Sequence, residues 1–391
     1  MANLSPEKKN NGTFAPASKK KKKPITRKQA VRAAVVVLFC VVGVALILSL
    51  AAWGLLRFYA NLFKQDQTES AEYESEIRTE DQWGFSTNTE ENNTEEEMPD
   101  LHGMLNSENL PLICDTKDVT NILLMGVDER KTEPGPGLSD TLILVSVNQK
   151  TKKITLTSFL RDSWVEYPDE PENPVSKGSG FAKINSTHIY GGPELTMATL
   201  EKNFNIKVDY YFRVNFASFV TVVDQMGGLD LELTEDEIWW INLYVDSEEM
   251  AAEFPDYPKD HLPTAAGTYH LNGLQALGHG RNRRIGSDFA RTERQRIIIG
   301  EFIKKAKEMS ILEIHNTLTK VLPLVTTNMP ENMIAGFEAK LLTYATYERE
   351  SFQFPQPGMY TEINYNIIPD SAANCRLLYE KIYGEKAPAA N

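Results

Sequence analysis

The sequence predicts an α/β fold, layered α-β-α, forming a single extracytoplasmic domain preceded by one transmembrane helix. Three observations carry that reading. Short apolar runs of strand length alternate with longer stretches of helical spacing between residues 111 and 391. One uncharged run, Ala33 to Leu56, is long enough to cross a bilayer. The charge is partitioned around that run, at +9 over residues 1–32, −11 over 33–110 and −11 over 111–391, within a net charge of −13. A chain that is basic, then apolar, then acidic is organised by a membrane, whereas nucleic-acid binders are basic over the folded domain. With 391 residues, 41% of them hydrophobic, the composition also excludes collagen, a coiled-coil rod and wholesale disorder.

The first element is the basic tail, residues 1–32, with Lys19 to Lys23, Arg27, Lys28 and Arg32 placed as a cytoplasmic orientation signal rather than a nucleic-acid arm. Residues 33–56 follow as the transmembrane helix, rising about 36 Å against a hydrocarbon core of about 30 Å. A cleaved signal peptide is the rival reading, because Ser49 and Ala51 imitate its cleavage site, but the apolar run and the region before it are both long for one. Trp53 and Tyr59 then fall where an outer aromatic belt sits. Residues 57–110, rich in Glu, Asn, Thr and Ser, cannot bury enough apolar surface to fold and read as an acidic, disordered stalk.

Residues 111–391 form the folded domain. Asn121 to Val127, Thr141 to Val147 and Ile154 to Phe159 read as strands of one sheet. Glu194 to Phe204 and Phe216 to Met226 have helical spacing around a strand at Tyr210 to Val214; Gly227 and Gly228 stop the second helix ahead of a strand at Leu229 to Leu233. Further helices are expected at Asn272 to Gly278, Asp288 to Lys307 and Glu331 to Tyr347. A terminal one spans Asp370 to Tyr383, with Asp370 as N-cap and Gly384 just past its end. Residues 235–266, with Pro255, Pro258 and Pro263 and an exposed-looking Trp239, Trp240 and Tyr244, read as a surface insertion that either packs its own aromatics or serves as a lid or ligand contact. Cys114 and Cys375 either pair as a disulfide or stay separate buried thiols, and spacing does not decide between them.

The chemistry concentrates between Arg281 and Arg296, where six arginines occur within sixteen residues of an acidic domain. Asp288, Arg291 and Gln295 share one helical face, while Arg294 and Arg296 point elsewhere. Arg281 and Arg283 alternate just ahead of that helix and can converge on the same face. Guanidinium forks match phosphate oxygens bidentately, so the segment reads as a phosphate clamp or, alternatively, as a solvated basic helix face ion-paired to Glu293 and Glu301. Asp128 and Arg130 follow one strand, Asp140 opens the next, and Arg161 and Asp162 follow the third. Strand ends are where α/β sites form, and two carboxylates there suit Mg²⁺ (or Mn²⁺) completed by phosphate oxygens. Asp162 is a candidate general base, or it fixes Arg161.

The segments GVDER (126–130), SDT (139–141), SFLRD (158–162), KIN (183–185), VDQMGGLDL (223–231), LNGLQAL (271–277), RNR (281–283) and DFARTERQ (288–295) together resemble the LytR-CpsA-Psr family over about residues 118–308. The resemblance implies a phosphotransferase that moves an anionic glycopolymer from an undecaprenyl-diphosphate carrier to peptidoglycan at the outer face of a Gram-positive membrane, assisted by Mg²⁺. It also implies that Asp128 and Asp140 coordinate the metal, that Arg161, Arg281, Arg283, Arg291 and Gln295 bind the diphosphate, and that Lys183 and Asp288 complete the site. Leu138 departs from the pattern, which has Arg there, and Arg130 or Lys131 is the candidate replacement. Two other readings remain open: hydrolysis of the same diphosphate, and a non-catalytic lipid-diphosphate binder that scaffolds or regulates envelope assembly. No nucleic-acid partner is expected.

Overall fold

Three runs rich in Leu, Ile, Val and Thr pair into the centre of the sheet, because every second residue on each can be buried on the same face. The computed structural model describes residues 64–65, 117–130, 136–169 and 180–384. The tail 1–32, the apolar run 33–56 and all of the acidic stretch except residues 64–65 lie outside the described residues, as does Cys114. Among the described residues no helix is long and apolar enough to cross a membrane.

In chain order the elements are β1 (Lys64–Gln65), β2 (Val119–Val127), β3 (Ser139–Asn148), β4 (Lys153–Phe159), β5 (Trp164–Tyr167), β6 (Gly180–Lys183), α1 (Thr187–Phe204), β7 (Tyr210–Asn215), α2 (Phe216–Gln225) and β8 (Leu229–Leu233). These are followed by α3 (Glu235–Val245), α4 (Glu248–Glu253), β9 (Gly267–Leu271), α5 (Gly273–Arg281), α6 (Asp288–Glu308), α7 (Ile311–Val321), β10 (Thr326–Thr327), α8 (Glu331–Tyr344), β11 (Glu348–Phe354), β12 (Tyr360–Ile363), β13 (Asn366–Pro369) and α9 (Ser371–Tyr383). The main sheet has the order β1-β10-β7-β2-β3-β4-β11. β3 runs antiparallel to both β2 and β4, whereas β7 and β11 pair parallel with β2 and β4.

Alternation along β2 decides the layering. Leu123 and Met125 face a core completed by Leu200 and Phe204 of α1 and by Leu378 and Ile382 of α9. On the opposite face, Ile143, Val147 and Leu156 pack with Ile299 of α6 and Phe337 and Tyr344 of α8. Helices therefore cover both faces of one mixed sheet, which is the α-β-α arrangement expected. Leu229 to Leu233 does form a strand, but it pairs with β9 in a separate hairpin instead of joining the main sheet. Cys375 is a free thiol buried in the core, and burial pushes its pKa up.

The 235–266 region needs a larger correction. It is built on two short helices, and the first begins with a capping box between Thr234 and Glu237. Ile238, Ile241, Tyr244 and Val245 pack into a second core with α2 and α5. Trp239 is 58% exposed, as the sequence suggested, but Tyr244 is buried and Trp240 is half-buried, donating its Nε1–H to the Gly278 carbonyl at 3.0 Å.

Two contacts set the distance between α2 and α5. Asp224 near the end of α2 accepts from the Gly273 backbone N–H at 2.8 Å. A Cβ added at Gly273 would lie 2.3 Å from the Val220 carbonyl oxygen, a backbone atom that cannot swing aside. We expect Gly273→Ala to destabilise the protein by about 1–3 kcal/mol through overpacking. Gly300→Ala, on α6 where nothing lies within 4 Å of an added Cβ, should stabilise it by about 0.5–1 kcal/mol. Urea unfolding of both variants checks the pair, and equal midpoints would remove the close-approach argument.

Candidate functional site

Along α6, residues with 3.6-residue spacing turn one face toward the sheet, and Arg291, Gln295, Ile298, Ile299, Phe302 and Ile303 line a cavity of about 400 Å³. From Arg291 to Ile303 that wall runs about 18 Å at 1.5 Å per residue. Its far part is apolar, closed by Phe212 of β7 and by Phe219 and Val222 of α2. Its near part carries Asp140, Arg281, Arg283, Arg291 and Gln295. One charged end on an otherwise apolar cavity suits an amphiphile with an anionic head.

A β-bulge builds the charged end. Gly126 pairs with Thr141 and Val127 pairs with Ser139, so Asp140 is the extra residue of β3 and is turned out of the ladder. Its carboxylate accepts from Arg161 Nη1 at 2.7 Å and from Arg283 Nη2 at 2.8 Å. Burial opposes charge on Asp140, but Arg161 and Arg283 outweigh it and hold the carboxyl below the usual carboxylate range. Across the bulge, the Asp128 carboxylate takes a fork from Arg130, with Nη2 at 2.7 Å, and a longer contact from Arg281 Nη2 at 3.2 Å. Asp162 is shared by Lys183 Nζ at 2.9 Å and Arg161 Nε at 3.5 Å, so the geometry gives it a fixing role.

Arg291 is the most buried of the group, 1% exposed, and among the described residues it is held by Asp288, at 2.9 Å. Its Nε and Nη1 have no hydrogen-bond partner among the described residues. Burial lowers the guanidinium to about 10, so it remains charged at neutral pH. Burial also raises the carboxyl of Asp288, a shift that Arg291 offsets only in part. Gln295 donates to the Gly280 carbonyl at 3.3 Å and ties α6 to α5.

Of the residues singled out for the site, Asp140, Arg281, Arg283, Arg291 and Gln295 line the cavity, whereas Asp128, Arg130, Arg161, Asp162, Lys183 and Asp288 do not line it and connect to those through ion pairs. The solvated-face alternative fails, because Arg291, Arg294 and Arg296 are all buried. Arg294 and Arg296 do point away from the cavity, as the helical wheel requires. Arg294 donates to the Asn282 carbonyl at 2.6 Å, and Arg296 pairs with Glu293. Sequence reasoning missed three participants. Phe216 lies 4.2 Å below the Arg281 guanidinium, the Tyr244 hydroxyl accepts from Arg281 at 3.0 Å, and Glu249 pairs with Arg130 at 3.0 Å and Arg281 at 3.1 Å. Phe216 read as core and the other two as insertion, and no local signal tied them to an arginine more than thirty residues away.

Asp128 and Asp140 are hard oxygen donors, and Asp140 is held ionised. Among the described residues no three His, Cys, Asp or Glu side chains converge on one point. That donor set fits a divalent ion that completes its shell with ligand phosphate oxygens, and it does not fit a full protein cage.

Comparison with known proteins places this geometry. Residues 69–380 match the profile of the LytR_cpsA_psr family. The chain is 32% identical over 257 residues to the polyisoprenyl-teichoic acid–peptidoglycan teichoic acid transferase TagU of Bacillus cereus, covering 64% of this chain and 74% of that protein. Among solved structures, protein gbs0355 of Streptococcus agalactiae superposes with a TM-score of 0.55 at 25% identity, covering 70% of this chain and 90% of that one. TagT bound to LI-WTA superposes with a TM-score of 0.50 at 25% identity, covering 68% and 91%. A match over most of the chain means that this chain belongs to the LytR_cpsA_psr family.

Proposed function

We propose that the chain is a membrane-anchored phosphotransferase that moves an anionic glycopolymer from an undecaprenyl-diphosphate carrier to peptidoglycan. One observation carries this reading: a long apolar cavity whose charged end holds a buried arginine with unspent donors, the complement of a polyprenyl chain joined to a diphosphate. The name of the Bacillus cereus relative states the same donor and acceptor classes for that protein.

A diphosphate needs its charge held and its geometry fixed more than it needs a covalent intermediate. Arg161, Arg281, Arg283 and Arg291 would grip the phosphates, with Lys183 beside them and Arg130 supplying the guanidinium that Leu138 does not. A hydroxyl of the wall glycan attacks the phosphorus bearing the polymer; a new P–O bond forms, the bridging P–O bond breaks, and undecaprenyl phosphate leaves with the bridging oxygen. Asp288, raised by burial and held by Arg291, is the carboxylate suited to take the hydroxyl proton. Asp162 keeps Arg161 and Lys183 in place. Asp128 and Asp140 would hold Mg²⁺ (or Mn²⁺), which would supply charge neutralisation when bound. Residues 33–56 would anchor the chain with the tail 1–32 in the cytoplasm, which puts the cavity on the side of the membrane where the wall is built.

The test is to incubate the full-length protein with undecaprenyl-diphosphate-linked polymer, Mg²⁺ and a peptidoglycan oligomer. We expect a covalent conjugate and free undecaprenyl phosphate; free phosphorylated polymer instead would support the hydrolase, and no product would support a binding scaffold. In the same assay Arg291→Lys keeps the charge but loses the fork, and should weaken donor binding about tenfold to a hundredfold. For the metal, Mg²⁺ should tighten binding of undecaprenyl diphosphate to the wild type and do so far less for Asp128→Asn or Asp140→Asn, and an unchanged Mg²⁺ response in both would sink the metal assignment. For topology, protease added to wall-stripped cells should degrade residues beyond 57 and spare the lysine tail.

A further inference from the structure

Burying cations in an acidic domain calls for counter-charges, and the segment from Arg281 to Arg296 supplies them with one exception. Arg281 faces Asp128, Arg283 faces Asp140, Arg291 faces Asp288, Arg294 faces Glu237 at 3.8 Å and Arg296 faces Glu293. Arg284 is exposed and has no carboxylate partner among the described residues. Its guanidinium carbon instead lies 5.8 Å over the ring of Trp240. A guanidinium attracted to an aromatic ring in this way keeps N–H groups free, and a fork of such groups is what binds phosphate.

The backbone that carries Arg284 and the Trp240 ring are both held in place, although the Arg284 side chain is exposed. Asn282 Oδ1 accepts from the backbone N–H groups of Arg284 at 3.0 Å and Ile285 at 3.1 Å. Arg294 Nη2 donates to the carbonyls of Asn282 and Ile285, which clamps the loop from inside. The Trp240 ring is fixed by its bond to the Gly278 carbonyl. Ordering the loop and the ring in advance removes much of the entropy that a mobile surface arginine loses when it binds.

Position supplies the ligand. The Trp240 ring under Arg284 lies 6.4 Å from Tyr244, whose hydroxyl accepts from Arg281 at the charged end of the cavity, so Arg284 stands beside the place proposed for the diphosphate. We propose that Arg284 forms a subsite for the first phosphate of the donor polymer beyond its diphosphate, with Trp240 as the positioning residue. The inference rests on the function proposed above. It names what that reading leaves open, the feature by which a polyanionic donor is told from a neutral lipid-linked sugar. The acceptor is the less suitable occupant, because it presents a neutral hydroxyl to the phosphorus, whereas the donor is tethered beside Arg284 and carries the matching charge.

Two probes test this on the full-length protein in detergent at low salt: an undecaprenyl-diphosphate disaccharide with and without a single glycerol phosphate on its outer sugar. The wild type should prefer the phosphorylated probe by about fivefold, as suits an exposed charge contact, and added salt should shrink that preference. Arg284→Gln should bring the ratio of the two affinities close to one, Arg284→Lys should keep part of it, and Trp240→Phe should lower it while the ring is retained. The proposal is overturned by a wild type with no preference, by an Arg284→Gln variant that keeps it, or by equal loss for both probes, which would place Arg284 in the diphosphate clamp. A wild type that binds neither probe would bring down the transferase reading itself, and that outcome is distinct from the other three.

Discussion

The requirement that buried guanidinium groups be neutralised governs this site. Arg161, Arg281, Arg283 and Arg291 gather beside an apolar cavity, where like charges would repel strongly and all but the exposed Arg283 would lose much of their hydration. Asp128, Asp140, Asp162 and Asp288 answer that need, each within ion-pair reach of at least one of them. The carboxylates that sequence reasoning reads as metal ligands therefore already have a structural task as arginine counter-ions. The two tasks are compatible, since a carboxylate has about four lone-pair sites and each guanidinium contact uses one.

Holding that arrangement needs a stiff frame, and the frame explains several motif residues that touch no cavity. The bulge opposite Gly126 and Val127 turns Asp140 out of the sheet. Asp224 and Gly273, from two motifs nearly fifty residues apart, lock α2 to α5 through one hydrogen bond and one close backbone approach. Tyr257 adds its hydroxyl to the same Asp224 carboxylate at 2.9 Å. Because α2 and α5 both wall the cavity, these contacts set its width.

Where the sequence was legible, local physics was strong. β2, β3 and β4 carry dense apolar patterns, and α9 announces itself through an Asp370 side chain that accepts from Ala373 N–H and a left-handed Gly384. Other elements depend on tertiary partners. β11 exposes Glu348, Arg349 and Ser351 and buries only its last three residues, so its strand character comes from parallel pairing with β4. The 235–266 region misled by its prolines and acidic residues, although the Thr234–Glu237 capping box and the spacing of Ile238, Ile241 and Val245 were there to be read. For the site, arginine density and helical phase pointed to the segment that lines the charged end of the cavity, because both are properties of one segment. The contacts of Arg281 with Phe216, Tyr244 and Glu249 join elements far apart in the chain, and no periodicity encodes them.

Arg291 shows how this network stays receptive to an anion. A buried donor without a partner costs about 1–3 kcal/mol, more for a charged group. Here Nε and Nη1 stay unpaired while the rest of the guanidinium is held by Asp288. Neighbouring Arg161 and Arg283 are already balanced by Asp140, so a diphosphate arriving there must share oxygen contacts with a carboxylate it repels. Arg161 keeps one unpaired donor, its Nε, whereas Arg291, which lines the cavity, keeps two. The largest gain on binding is therefore expected at the most buried arginine, deep at the junction of the charged and apolar parts of the cavity, where an amphiphile's head has to stop if its chain is to fill the space beyond.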